Sequence, residues 1–247
     1  QDYVDRNIVR ATTAKSAQSR VKQLERMELL EKPYTPPQPP RFKFVYPVQS
    51  AEKVLDVENL TLTAGNKQLF SGASFILTRG KRLAIVGENG AGKSTFLKLI
   101  ASGGGEHCVL GRFVRTAYYD QEALNLNAEN TVLDELWGRH VASSQTDVRA
   151  RLARSGLSAE DIYKKVGELS GGERAKLALC VLESEEGNLL LLDEPTSNVD
   201  SINEGIILKA LREQKRSRSI ILVSHRESTM EVADRVYRVE KGIMHEC

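Results

Sequence analysis

The stretch from Gly87 to Thr95 reads GENGAGKST, between an apolar run, RLAIV, and a helical pattern, GKSTFLKLIAS. It matches G-x-x-x-x-G-K-[ST] in the strand-to-helix setting that this motif requires. Gly87, Asn89, Gly90, Ala91 and Gly92 offer backbone N–H groups that can wrap phosphate oxygens. Lys93 is set to reach β- and γ-phosphates, Ser94 to ligate Mg²⁺, and Thr95 completes the phosphate-binding set. A second cluster lies in NLLLLDEP, Asn188 to Pro195, whose four leucines read as a strand buried on both faces. Asp193 and Glu194 fall at its C-terminal end, the edge where α/β sheets bind ligands. There Asp193 can hold Mg²⁺, directly or through water, and Glu194 can orient and polarise an attacking water.

Two further polar residues end apolar strands. Gln121, in YYDQE, has a neutral amide that can touch metal and water without adding charge. His225, in ILVSH, can donate a hydrogen bond to a γ-phosphate. Taken singly, each reads as an ordinary surface or structural residue. Behind the glycine loop, they converge on one sheet edge.

LSGGERAKL, Leu169 to Leu177, opens a helix with two glycines, although Gly costs roughly 1 kcal/mol against Ala inside a helix. Ser170 and Glu173 have the spacing of a capping box, in which each side chain serves the other's backbone N–H. That leaves Gly171 and Gly172 unexplained. Close approach of an anion to a helix N-terminus accounts for them, and a nucleotide phosphate is the candidate anion.

Composition sets the frame for these motifs. The 247 residues are 40% hydrophobic and 28% charged, the profile of a soluble globular protein. Net charge is +2, so nucleic-acid affinity would require a local patch. No apolar run approaches the roughly 20 residues of a membrane helix. Cys108, Cys180 and Cys247 lack metal spacing and form no even framework, which fits a reducing cytosol. The chain begins at Gln1 without an initiator Met, as a fragment would.

Residues 1–32 read as one long helix with a thin stripe at Val4, Ile8, Ala11, Ala14, Ala17, Val21, Leu24 and Met27. Such a stripe wants a partner helix, so the segment looks like the second arm of a hairpin. Arg6, Arg10, Lys15, Arg20, Lys22 and Arg26 lie between the stripe positions, as on any solvated face or on one that meets phosphates. Pro33, Pro36, Pro37, Pro39, Pro40 and Pro47 then make residues 33–50 an extended connector. From residue 51 to 247 an initial β-rich stretch gives way to alternating strands and helices. That order predicts an α/β domain with a parallel core and an antiparallel flank. FVRTAYYDQ reads as a strand within it, residues 131–167 as mostly helical, and RVYRVEKG as the final strand.

The order of the motifs resembles the ATPase domain of the ATP-binding cassette (ABC) superfamily, over about Glu52 to Lys241. The resemblance implies ATP and Mg²⁺ as cofactors and a P-loop ATPase fold with a helical subdomain. It also implies roles: Lys93 and Ser94 for phosphate and metal, Gln121 for the metal–water link, Asp193 for Mg²⁺, Glu194 for water, His225 for the γ-phosphate. Ser170, Gly171 and Gly172 would contact ATP held by a second cassette, and Asp200 matches a loop that couples the two sites. GELSGGERAKLAL, RTAYYDQEALNLNAENTVLDEL and AKSAQSRVKQLERMELLEKP look more narrowly like the C-terminal cassette and linker arm of ABC-F proteins. That likeness implies a cytoplasmic, membrane-free protein acting on the ribosome near tRNA, as a translation factor or in antibiotic resistance. Its partner cassette would be the N-terminal half of the parent protein, or a second copy in isolation. The alternative is the nucleotide-binding subunit of an ABC membrane transporter, for which an N-terminal helix and polyproline arm have no role. Where cassettes stack an aromatic on adenine, near positions 63–64, this chain has Thr63 and Ala64. Either the stack is absent or a neighbouring aromatic supplies it.

Overall fold

The computed structural model describes residues 21–22, 40–42, 46–120, 126–139, 143–195, 204–205, 208–209, 211–212, 218–226 and 230–247. The proposed arm over 1–32, apart from a helical Val21–Lys22 pair, lies outside these residues, as do Gln121 and Asp200. The chain divides into two compact units, 1–37 and 38–247. The second unit runs β1 Lys53–Ala64, β2 Lys67–Thr78, β3 Arg82–Gly87, α1 Lys93–Ala101, β4 Gly104–Gly105, β5 Cys108–Leu110 and β6 Thr116–Tyr119. It continues through α2 Val132–Gly138, α3 Gln145–Arg154, α4 Gly171–Ser184, β7 Leu189–Asp193, β8 Ser219–Val223, β9 Arg235–Glu240 and β10 Ile243–Glu246.

These strands form a ten-stranded sheet in the order β4-β5-β1-β2-β10-β9-β3-β8-β7-β6. From β9 to β6 every pairing is parallel, whereas β1, β2, β4 and β5 pair antiparallel, as the sequence predicts. Side chains alternate across a strand, so each central strand feeds two cores. Leu190, Leu192, Ile220, Leu222 and Ala84 pack with the helical residues Leu136, Leu152, Leu177 and Val181. Leu189, Leu191, Ile221, Val223, Leu83 and Ile85 pack on the opposite face with Phe96, Leu97 and Ile100 of α1 and with β1 and β2. All five residues of β7 and of β8 are buried. A fully buried leucine contributes roughly 1.5–3 kcal/mol, so this double-sided burial fixes the strand ends that carry the polar residues.

The helices start where their capping residues lie. Thr131 and Ser144 accept hydrogen bonds from the N–H groups of Asp134 and Asp147, opening α2 and α3. The expected helical region is therefore split, with two short 3-10 turns, Asp161–Tyr163 and Val166–Glu168, before α4. Two strand expectations need correction. The strand expected over FVRTAYYDQ begins only at Thr116, because Phe113 takes a φ of 61° in a turn closed by Val114 N–H to Gly111 C=O. Nor is RVYRVEKG the last strand. Lys241 and Gly242 have φ of 51° and 74°, and this tight turn returns the chain antiparallel as β10.

Residues ahead of β1 are bonded into the second unit. Arg41 and Arg154 exchange backbone and guanidinium hydrogen bonds, and Arg154 pairs with buried Glu183 at 2.5 Å. Asn188 donates to the carbonyls of Val48 and Phe113 and accepts from Arg115 N–H. The Arg218 guanidinium is buried over the Tyr46 ring at 5.1 Å, and its burial lowers its pKa to about 10. No helix among the described residues is long and apolar enough to cross a membrane.

Candidate functional site

Three parallel strands deliver the site from their C-terminal ends. β3 leads into the glycine loop, β7 ends at Asp193 with Glu194 next, and β8 is followed by Ser224 and His225. The loop turns sharply into α1 through Gly92, the helix N-cap, at a φ of 97°. A Cβ there would lie 2.8 Å from Leu69 Cβ, so both conformation and space require glycine.

The cleft beside this loop has a volume of about 500 Å³. Asn89, Gly90, Gly92, Lys93, Ser94, Thr95, Glu194 and His225 line it, with Ala64 and Leu69 as an apolar wall. Eight of the expected site residues thus come together. Gly87 starts the loop, and a Cβ there would lie 2.5 Å from Val239 O. Ala91 caps the loop's inner turn with an N–H bond to Glu88 C=O. No Phe, Tyr or Trp is among the described lining residues. Of Thr63 and Ala64 it is Ala64 that reaches the wall, with Leu69 beside it.

Lys93 is buried, and its Nζ donates to the carbonyls of Gly87 and Glu88, each at 2.8 Å. Burial lowers its pKa, while Glu194 and Asp193 pull the other way. A cation held over the loop by weak neutral acceptors is poised for a stronger anionic one.

Asp193 lies on the α1 face of β7, in step with Leu189 and Leu191. Burial pushes its pKa up, hydrogen bonds from Ser94 and Tyr118 hold it down, and Asp120 and Glu194 push it up again. Its Oδ1 is buried with no hydrogen-bond partner among the described residues. A buried carboxylate oxygen left open beside a serine hydroxyl fits Mg²⁺, which binds through one or two carboxylates together with substrate phosphates. Among the described residues no three His, Cys, Asp or Glu side chains form a cage that could hold a metal without such phosphates.

Glu194 has a φ of 44°, and its N–H bonds Val223 C=O, continuing the ladder between β7 and β8. A non-glycine residue there costs roughly 1–2 kcal/mol, and such strain concentrates at functional sites. The carboxylate is 11% exposed, and its Oε2 sits 3.1 Å from Nδ1 of His225, which is 60% exposed. His225 is therefore the solvent-side lid of the acid. His225 also lines the cleft, so its ring stands beside both the acid and the space next to the glycine loop.

The capping box forms as the sequence predicts. Ser170 Oγ accepts from Glu173 N–H at 3.3 Å, and Glu173 Oε2 accepts from Ser170 N–H at 2.8 Å. The Ser170 hydroxyl also donates to Glu173 Oε2 at 2.7 Å, and this bond first, then the one from Ser170 N–H, lowers the Glu173 pKa. Ser170 and Gly171 are exposed at the start of α4, and neither they nor Gly172 line the cleft. The sequence reading missed Tyr118, whose hydroxyl donates to Asp193 Oδ2 at 3.2 Å, and Leu69 beneath Gly92. Parity could have found the first, because Ala117 and Tyr119 face the helical core and Tyr118 must face the other side.

A family model described as ABC transporter matches residues 70–108 and 109–197, and a second of the same description matches residues 1–44. YdiF of Bacillus subtilis is 40% identical over 251 residues, an alignment that takes in all of this chain and 39% of that protein. ABC transporter F family member 2 of Arabidopsis thaliana is 34% identical over 242 residues, 93% of this chain and 34% of its own length. The chain spans less than half the length of these curated relatives. In structure it is similar to the dimeric ATP-binding cassette MJ0796 in a post-hydrolysis state with ADP and phosphate. That match has a TM-score of 0.66 at 19% identity and covers 78% of this chain and 98% of the cassette.

Proposed function

We propose a function on the premise that this chain belongs to the ABC transporter family, of which it is one ATP-binding cassette resembling those of the F family. Mg-ATP binds in the cleft beside residues 87–95 and is hydrolysed there once a second cassette completes the site. The observation that carries this reading is the convergence of Lys93, Ser94, Asp193, Glu194 and His225 on one sheet edge. Lys93 Nζ exchanges its two loop carbonyls for β- and γ-phosphate oxygens. Ser94 Oγ and Asp193 Oδ1 hold Mg²⁺, which supplies charge neutralisation of the phosphates. Glu194 accepts a proton from water as the water oxygen bonds to the γ-phosphorus. The bond to the β–γ bridging oxygen breaks, and ADP and phosphate leave. His225 keeps Glu194 oriented and offers Nε2 toward the γ-phosphate. Gln121 is assigned the metal–water link.

The exposed N-terminus of α4 is the other half of the proposal. Ser170, Gly171 and Gly172 serve a nucleotide held by a partner cassette, and donors aimed at developing charge are worth most in such a water-excluded site. The partner is the remainder of the parent protein, or a second copy when this chain stands alone.

The parent protein, in this reading, acts in the cytoplasm on the ribosome. The match of residues 1–44 and the likeness to F family cassettes support it, together with the basic residues of the arm. The arm offers phosphate contacts near tRNA, in translation or in protection of the ribosome from antibiotics. The test places the arm in its parent protein, with turnover blocked by Glu194→Gln, and measures cosedimentation with ribosomes. Reversing the charge of Arg10, Lys15 and Arg20 is expected to weaken cosedimentation steeply as salt rises, with ATP affinity unchanged. Equal ribosome binding by the reversed arm would make it a spacer. Cofractionation with a transmembrane partner would establish the transporter reading instead.

A further inference from the structure

We infer that Tyr118 is a positioning residue for the metal-binding carboxylate, setting which oxygen of Asp193 is presented to Mg²⁺. The inference rests on the Mg-ATP reading and adds a residue to that site.

Strand register places the two side chains together. β6 and β7 run parallel, with Tyr118 opposite Leu191. Asp193 lies two residues further along β7 on the same face, a diagonal neighbour within reach of a long aromatic side chain. The phenol spans that diagonal and donates to Oδ2 at 3.2 Å. A phenol hydroxyl is a neutral hydrogen-bond donor.

The two carboxylate oxygens are thereby made unequal. Oδ2 is engaged by the phenol, while Oδ1 is buried and has no hydrogen-bond partner among the described residues. Without the phenol, the carboxylate can rotate about its Cβ–Cγ bond and share both oxygens with Ser94, whose hydrogen bond it already accepts. A partner that orients a ligating carboxylate typically changes metal affinity by about 10- to 100-fold when it is removed. The base of the tyrosine is fixed independently, because Ala117 and Tyr119 on either side are buried in the helical core. Tyr118→Phe therefore removes the hydroxyl and leaves the ring in place.

The test is the thermodynamic coupling between metal and nucleotide in the whole chain. Affinity for a slowly hydrolysed ATP analogue is measured in EDTA and again in Mn²⁺, with Mn²⁺ line broadening as a direct signal of the bound ion. For Tyr118→Phe the affinity in EDTA is expected to match the wild type, which also shows that the fold is intact. The tightening produced by Mn²⁺ is expected to fall about 10-fold. Asp193→Asn is expected to lose the tightening altogether. Tyr118→Phe with wild-type coupling would overturn the assignment of Tyr118. Retention of full coupling by Asp193→Asn would overturn the placement of the metal itself, and with it the role given to Tyr118. A parallel loss of affinity in EDTA and in Mn²⁺ would reduce Tyr118 to a structural residue.

Discussion

Glu194→Gln is expected to lower ATP turnover by about 10²- to 10⁴-fold while leaving nucleotide affinity within a factor of two or so of wild type. The change is isosteric and removes the negative charge together with the capacity to accept a proton. At roughly 1.4 kcal/mol per tenfold, the loss corresponds to about 2.7–5.4 kcal/mol of transition-state stabilisation. The phosphate-binding groups have hydrogen-bond partners of their own, Lys93 in the loop carbonyls and Asp193 in Tyr118 and Ser94. The strained backbone at Glu194 persists, because its N–H remains bonded to Val223 C=O. Single-turnover hydrolysis alongside equilibrium binding checks this. A turnover within threefold of wild type would move the general base elsewhere.

Ser170→Arg is expected to reduce turnover at least 100-fold and to leave binding at the chain's own loop intact. The substitution removes the cap on Glu173 N–H, at a cost of about 1 kcal/mol. α4 tolerates that loss because its far face is pinned in the core by Leu177, Val181 and Leu182, all buried. What cannot be tolerated is a long cation where a partner's nucleotide must approach the exposed N-terminal turn. Binding of a fluorescent ATP analogue to the variant, measured beside its turnover, separates the two effects. Loss of both together would indicate a folding defect.

Much of this site was legible in the sequence because each motif carries its own local physics. Four consecutive leucines before Asp193 read as a strand with two buried faces, and β7 feeds both cores. Ser170 and Glu173 form their capping box without help from the rest of the fold. Gly92 announces a turn that no other residue can make. What stayed hidden depends on register between distant strands. Tyr118 reads as one of two tyrosines in an edge strand until Leu191 is known to lie opposite it. Arg218 lies within the charged run KRSRS and is buried against Tyr46, some 170 residues earlier in the chain, a contact that no local pattern carries. β10 was missed because its two-residue turn, Lys241–Gly242, is a weak signal at the end of a strand.

The claim that the site is shared between two cassettes is tested most directly by mixing two inactive chains. Lys93→Ala lacks the phosphate cation but keeps Ser170, Gly171 and Gly172. Ser170→Arg keeps Lys93, Glu194 and His225 but has a blocked α4 N-terminus. In a mixed pair, the intact loop of one chain faces the intact helix start of the other. ATP turnover is therefore expected to reappear on mixing, to rise with total protein concentration and to be absent from either chain alone. Wild-type turnover by Ser170→Arg alone, or a mixture as inactive as its components despite demonstrated pairing, would contradict the shared site.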